Sequence, residues 1–342
     1  MADKNNLRLK NQNHSITNNR IAKPSSEFYT VFSQKELLNL IEALKTRREI
    51  PLKYSYKGYG ANIWDNFYRK LIIPNWYRSN VEIKLLRDNF KYLNGKPQNC
   101  HKVNIVDVGA GNSYPVKDYI RKLDKLSRIN RYIALDISEE LLEVSKRNFT
   151  KWFPFIKYTN SYIDIENSPI PEYLLYQDGI NIFLHLGVTI GNLQHRVKAL
   201  QNFRQSMHKH DLLVLTNEIG YSSQWDGIAR GGCYYHAEQI YRGINSNIGI
   251  PNQYCELIRK YDKKTDSVVA NMKFLSDYTI DFSSMGINRK VEISKDEEIT
   301  IWRHHKHQIP ELIQEIGQAG LQLVHYSTNK YQSHIMVICK VK

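Results

Sequence analysis

Cysteine is scarce in this sequence and widely spaced. Cys100, Cys233, Cys255 and Cys339 form no C-x-x-C pair, which removes the usual structural zinc spacing and offers no disulfide framework. All four are expected to be reduced packing residues. Long apolar runs are missing as well. No stretch approaches the ~20 residues that cross a bilayer, and the polar N-terminus lacks the apolar segment of a secretory signal. The expected location is the cytoplasm, with no membrane partner. Acidic residues are the third shortage: 34 Asp plus Glu stand against 48 Lys plus Arg, a net charge of +14 over 342 residues. A positive field favours anionic partners, yet these cations are scattered, and a solvated basic surface accounts for the same excess. Nucleic acid is therefore an unfavoured partner, not an excluded one.

What is present has a rhythm. Residues 1–26 hold Lys4, Arg8, Lys10, Arg20 and Lys23 against the single Asp3 amid many Asn, the composition of a disordered basic tail. Residues 27–95 carry helical patterning and an aromatic cluster. From Val103 strands and helices alternate: strands at Val103–Val108, Tyr132–Leu135, Phe155–Tyr158, Ile180–Leu186 and Leu212–Leu215, with helices such as Glu139–Phe149 and Arg196–Met207 between them. Five strands in this order make a parallel α/β sheet. Over 218–306 the alternation is lost, which reads as an insertion forming a lid. The chain then resumes with a helix over Ile309–Ala319, Gly320 as its C-cap, and two strands, Leu321–Ser327 and Ile335–Val341, close enough for an antiparallel hairpin. A mainly parallel sheet with a hairpin at its edge resembles the Rossmann-like sheet of class I methyltransferases. The expected division is a tail (1–26), a substrate-binding domain shared by 27–95 and 218–306, and a cofactor-binding Rossmann-like domain from 96–217 completed by 307–342.

Val106-Asp107-Val108-Gly109-Ala110-Gly111 falls where a strand should turn into a helix. Glycines there let backbone approach a ligand, and the next helix offers free N–H groups. The third position of G-x-G-x-x-G is Tyr114, which weakens a dinucleotide reading and suits the shorter G-x-G of methyltransferases. Asp136 closes the next strand, where a carboxylate can accept from both ribose hydroxyls. The competing role is helix capping, which Ser138 serves equally well. The expected cofactor set is Gly109, Ala110, Gly111, Lys117, Asp136, Ile137 and Gly187, and the expected cofactor is S-adenosyl-L-methionine.

The segment Leu186-Gly187-Val188-Thr189-Ile190-Gly191-Asn192 lies at the end of the fourth strand of this series. It resembles the L-G-S-T-I-G-N signature of the histidine Nα-methyltransferase family, which makes hercynine for ergothioneine. Upstream, Lys53-Tyr54-Ser55-Tyr56-Lys57-Gly58-Tyr59-Gly60, continuing through Trp64 to Ile73-Pro74-Asn75-Trp76-Tyr77-Arg78-Ser79-Asn80-Val81-Glu82, resembles that family's K-W-F-Y-D-x-x-G block. The resemblance covers most of the chain after residue 27. It implies that Asn192 and Gly187 lie at the substrate amine and that Tyr56, Trp76 and Tyr77 line the substrate pocket. Asn192, Tyr77 and Tyr56 are the implied catalytic set, and Met272 matches a pocket methionine.

One block departs from the pattern. Where the family's I-x-T-E-x-S-x-K offers an acid and a hydroxyl to an imidazole, this chain reads Ile299-Thr300-Ile301-Trp302-Arg303-His304-His305-Lys306. Trp302 and His304 replace the two groups, and a site that lost its complementary polar pair should reject histidine. No metal is expected at His304, His305 and His307, whose spacing brings no Cys or carboxylate beside them. The sequence thus points to an S-adenosylmethionine-dependent N-methyltransferase acting on the α-amine of an amino acid or related small amine other than histidine. Two alternatives stay open: methylation of a peptide or nucleic acid, and cofactor binding without transfer.

Overall fold

Val103–Val108 is buried at all six positions although it contains Asn104 and Asp107, as a strand covered on both faces must be. In the computed structural model, which describes residues 19–73, 81–94, 102–175, 179–224, 234–284 and 286–342, it is one of thirteen strands. In chain order these are β1 (Arg20–Ala22), β2 (Val103–Val108), β3 (Ile129–Asp136), β4 (Lys157–Tyr162), β5 (Ile180–His185), β6 (Leu212–Glu218) and β7 (Cys255–Asp262). β8 (Ser267–Phe274), β9 (Tyr278–Asp281), β10 (Lys290–Ile293), β11 (Glu298–His304), β12 (Leu321–Thr328) and β13 (His334–Val341) follow.

Seven strands form one sheet in the order β12-β13-β6-β5-β2-β3-β4. Strands β2 to β6 run parallel, and β13 is antiparallel to both β6 and β12. The chain winds outward from β2 to β4 and then returns to β5 on the other side of β2. Order therefore reverses between β2 and β5, and at such a reversal the connections diverge to leave a crevice at the strands' carboxyl ends. Side-chain alternation divides the core between the faces: Ile105 and Leu184 belong to the cluster on one, Val106 and Phe183 to that on the other.

A third apolar cluster draws on 22–54 and 240–302 together. Helix Gln34–Arg47 begins with a Ser33/Glu36 capping box and buries Leu37, Leu40, Ile41 and Leu44, the spacing of one helical face. It meets Ile240, Ile244 and Ile248 of helix Tyr234–Ile248 and Val268, Ala270 and Met272 of β8. Strands β11-β8-β7 form an antiparallel sheet here, and β1-β9-β10 a smaller one. The insertion, expected to lack regular alternation, thus contains five strands. Its β11 runs on to the central sheet, where the His305 N–H donates to the Gly191 carbonyl and that of His307 to Glu218.

Two details correct the sequence reading. Within the tail expected over 1–26, Arg20–Ala22 forms β1, which pairs in parallel with β9, and Ser25 caps helix Ser26–Val31. The strand placed at Phe155–Tyr158 starts at Lys157, and Phe155 is fully exposed. Cys255 and Cys339 are buried and free, while Cys100 and Cys233 lie outside the described residues. No helix among these is long and apolar enough to cross a membrane.

The ordered N-terminal segment docks on a glycine. Gly249, at φ +75 just past helix Tyr234–Ile248, leaves no room for a Cβ beside the Lys23 backbone. Gly249→Ala is expected to destabilise the protein by about 1–3 kcal/mol through the collision and the left-handed backbone. Gly317→Ala, which meets nothing within 4 Å and lies in helix Ile309–Gln318, should hold or raise the urea midpoint, since alanine favours a helix. Equal midpoints for both variants would show that the segment is not docked.

Candidate functional site

The turn after β2 is fixed by β3. Gly109 and Ala110 donate their N–H groups to the Leu135 carbonyl at 2.8 and 3.1 Å. Asp136, the last residue of β3, accepts from Gly111 N on one carboxylate oxygen at 2.9 Å and from Ser138 N on the other at 3.0 Å. Capping of the next helix, Glu139–Trp152, falls to Ser138, whose Oγ accepts from Leu141 N. Asp136 is free for the ligand role that capping had rivalled. Burial pushes its carboxyl up to about 6, although the backbone N–H groups pull the other way. Beneath it Asp107, which accepts from the Tyr132 hydroxyl at 2.6 Å, is pushed by burial up to about 7.

The two glycines serve different needs. Gly109, at φ +76, faces open cleft, with the His185 ring 3.8 Å from where a Cβ would stand. At Gly111, φ +52, a Cβ would collide with the Trp64 ring. Its glycine is required by the packing of Trp64, which stacks on Tyr68, and not by open space for a cofactor.

Two clefts meet above the strand ends. One, about 990 Å³ with its open mouth, includes Gly109, Gly111, Asp136, Ile137 and His185 in its lining. The other, about 760 Å³ counted the same way, includes Asp107, Ala110 and Gly187. Tyr56, Trp64, Gly109, Thr189, Asn192 and Trp302 face both. Of the expected residues, the fold therefore gathers Tyr56, Gly109, Ala110, Gly111, Asp136, Ile137, Gly187, Asn192 and Trp302 around one space.

Five of the expected residues are elsewhere or undescribed. Lys117 lines neither cleft, and its ammonium sits 4.2 Å over the Trp152 ring. Met272 belongs to the third apolar cluster, with no exposure. Trp76 and Tyr77 lie outside the described residues. His304 is fully buried behind Asn192 and does not touch the clefts: its Nδ1 lies 3.0 Å from Asn192 Oδ1 and its Nε2 3.2 Å from Glu218 Oε2. Asn192 is carried there by the short helix Thr189–Asn192, pressed so tightly on β11 that a Cβ on Gly191 would strike the His305 carbonyl and the His304 ring. His305 and His307 bond Glu311 and Glu315, carboxylates that the sequence spacing did not bring near.

Sequence reasoning missed several lining groups. Trp64 and Lys53 stood inside the Lys53–Glu82 block without being singled out. Lys53 is held at 2.8 Å by Asp164 and 3.2 Å by Glu166, and Arg303 lies 3.2 Å from Glu49. His185 donates Nδ1–H to the Val108 carbonyl at 2.8 Å, and burial lowers its pKa to about 4, so Nε2 keeps a lone pair. That Nε2 and the Trp302 indole N–H are buried without a protein partner among the described residues. Among the described residues, the lining of the two clefts holds six carboxyl groups, Glu49, Glu82, Asp107, Asp136, Asp164 and Glu166, against two cations, Lys53 and Arg303.

A nucleoside bearing a positive sulfonium suits this lining: open backbone at Gly109, a buried carboxylate at the end of β3, an unpaired imidazole nitrogen and an excess of negative charge. The sheet order, glycine turn and acid together define a class I S-adenosylmethionine-dependent methyltransferase. Residues 34–341 match the sequence model of the histidine-specific, SAM-dependent methyltransferase family, and the chain belongs to that family. No curated protein matches the sequence. Among solved structures, magnesium protoporphyrin IX methyltransferase from Synechocystis with bound SAH superposes with TM-score 0.46 at 9% identity, covering 85% of this chain and 97% of that one. An S-adenosylmethionine-dependent methyltransferase from Clostridium acetobutylicum gives 0.44 at 10%, covering 82% and 98%. A glycopeptide N-methyltransferase gives 0.41 at 9%, covering 79% and 99%.

Asp136→Ala is expected to weaken S-adenosylmethionine binding by about 1.5–3 kcal/mol, roughly 10- to 100-fold in Kd, because the ribose hydroxyls lose a charged acceptor. Only the ionised carboxylate accepts from both hydroxyls. Affinity should therefore be full well above pH 6 and fall as the pH drops through the carboxyl's value of about 6. Calorimetry from pH 5 to 8 checks both, and a pH-independent Kd would remove Asp136 from the ribose site.

Proposed function

We propose that this protein transfers a methyl group to the α-amine of an amino acid or related small amine other than histidine. The observation that carries the reading is the charge of the clefts. On a chain of net charge +14, the described lining of the two clefts that share Asn192 holds six carboxyl groups, and both of its cations are ion-paired. Such a lining repels a phosphate backbone and draws a cationic amine. The surface excess of Lys and Arg thus lies away from the site.

S-adenosylmethionine, when bound, supplies the methyl group on an electrophilic sulfonium. Gly109, Gly111, Asp136 and Ile137 would hold its nucleoside half, and the carboxylates offset its positive charge. The chain's own task is to hold the amine in line a few ångströms away. Asn192 does this by hydrogen bonding to the amine, itself fixed by His304 and by the seating of Gly191. Tyr56, whose phenol is kept protonated by burial, and Trp302 close the space from the other side. The amine attacks in its neutral form, and the proton it sheds passes to water.

Against histidine stands Trp302. The resemblance puts an acid for the imidazole at this position, and Trp302 supplies only an indole donor and apolar surface. Mass spectrometry of an amine and amino-acid panel should show one or more N-methylated products, with histidine converted poorly. Trp302→Glu should raise kcat/KM for histidine up to ~10-fold, the worth of one added hydrogen bond of about 0.5–1.5 kcal/mol. Wild-type protein that prefers histidine over every other amine would contradict the substrate assignment.

Asn192→Ala should lower kcat at least ~10-fold while leaving the Kd for S-adenosylmethionine within about twofold, since it removes only the group that orients the amine. His304→Ser should act in the same direction, by releasing Asn192. A large change in cofactor Kd with unchanged turnover of bound substrate would reverse these roles.

A further inference from the structure

A third cavity, about 650 Å³ with its mouth, adjoins the two clefts, and Ile50 and the rings of Tyr56 and Trp64 belong to both its lining and theirs. Its character is different. Phe28, Phe32, Leu40, Ile63, Ile240 and Ile244 dominate its wall. Among the described residues its one charged lining group, Lys57, is neutralised by Glu36 at 2.7 Å. The cavity is built by the apolar cluster that unites 22–54 with 240–302, so it lies on the side of Tyr56 and Trp64 remote from the glycine turn. Gly243, on helix Tyr234–Ile248, keeps part of it open: a Cβ there would stand 3.3 Å from the Ile63 Cδ1.

We propose that this cavity receives the side chain of the methyl acceptor, which is therefore an amine carrying a large aromatic or branched aliphatic group. The inference rests on the reading of the clefts as an amine site. Three observations converge on it. The cavity adjoins the transfer site across Tyr56 and Trp64, so one molecule that reaches past those rings would place its amine by Asn192 and its side chain in the cavity. An unfilled apolar cavity leaves its lining without contact partners, which a ligand side chain restores. Its lack of unpaired charge disfavours a polar head such as imidazolium or guanidinium, since such a group would lose its hydration there without compensation. Specificity is then divided: carboxylates and Asn192 take the amine, and the annex takes the rest.

Each methylene moved from water into such a cavity improves affinity by about fourfold. Calorimetry on the protein loaded with S-adenosylhomocysteine should give a Kd that falls from L-alanine through L-norleucine to L-phenylalanine and L-tryptophan, by at least ~10-fold overall. Gly243→Leu, which fills the annex and suits a helix, should abolish that gain while leaving the L-alanine and cofactor Kd values unchanged. Gly243→Ala, too small to fill the space, should keep most of it. Equal Kd values across the series, or a Gly243→Leu protein that binds L-tryptophan as tightly as wild type, would overturn the proposal. The series is read by binding, so its failure is separate from failure of transfer. If large amino acids bind in the annex and receive no methyl group, the assignment of the reaction falls and the assignment of the cavity stands.

Discussion

Asp136 holds two backbone N–H groups at once, that of Gly111 on one oxygen and that of Ser138 on the other. Through the first it fixes the turn that ends β2. Through the second it fixes the start of helix Glu139–Trp152. A buried carboxylate is costly, and here its remaining lone pairs face a cleft in which a nucleoside's hydroxyls can meet them. The same group thus ties the two first strand-to-helix turns together and directs their open backbone to one place. What lies above it follows from the reversal of strand order between β2 and β5, which leaves the crevice that Asp136 borders.

The Asn192 side of the clefts is built by distant parts of the chain. Gly191 allows β11 to press against the short helix after β5, and that contact holds His304 against Asn192. The clefts then acquire their charge from Glu49, Glu82, Asp107, Asp136, Asp164 and Glu166, which are spread over more than a hundred positions. The sulfonium and the proposed amine are both cations that such a field favours, and the proposed annex beyond Tyr56 and Trp64 would add selection by shape.

The central sheet was legible in the sequence because its signals are local. Apolar runs, glycine turns and the acid at the end of β3 each lie within a few residues, and Gly320 ends helix Ile309–Gln318 at φ +76 as a C-cap glycine should. Asn192 was legible from its flanking glycines and the matching segment. The misplacements have a common cause in contacts remote along the chain. Pairing of Arg20–Ala22 with β9 joins segments some 250 residues apart, which local composition cannot reveal. Trp302 and His304 share a face of β11, yet the helix Thr189–Asn192 covers only the second. Met272 sits in the middle strand of its sheet and faces core, and the cation of Lys117 is drawn to the Trp152 ring. The carboxylate cluster and the annex had no sequence signal, because no two of their main contributors need be neighbours.

The claim that the site is made for a small amine is tested most directly by following the methyl carbon itself. The protein would be supplied with 13C-methyl S-adenosylmethionine and an extract divided into small-molecule, protein and nucleic-acid fractions. Label should enter the small-molecule fraction alone, on carbon bonded to nitrogen in a compound with an apolar side chain. Label in RNA, DNA or polypeptide, or label on oxygen or sulfur, would contradict the account.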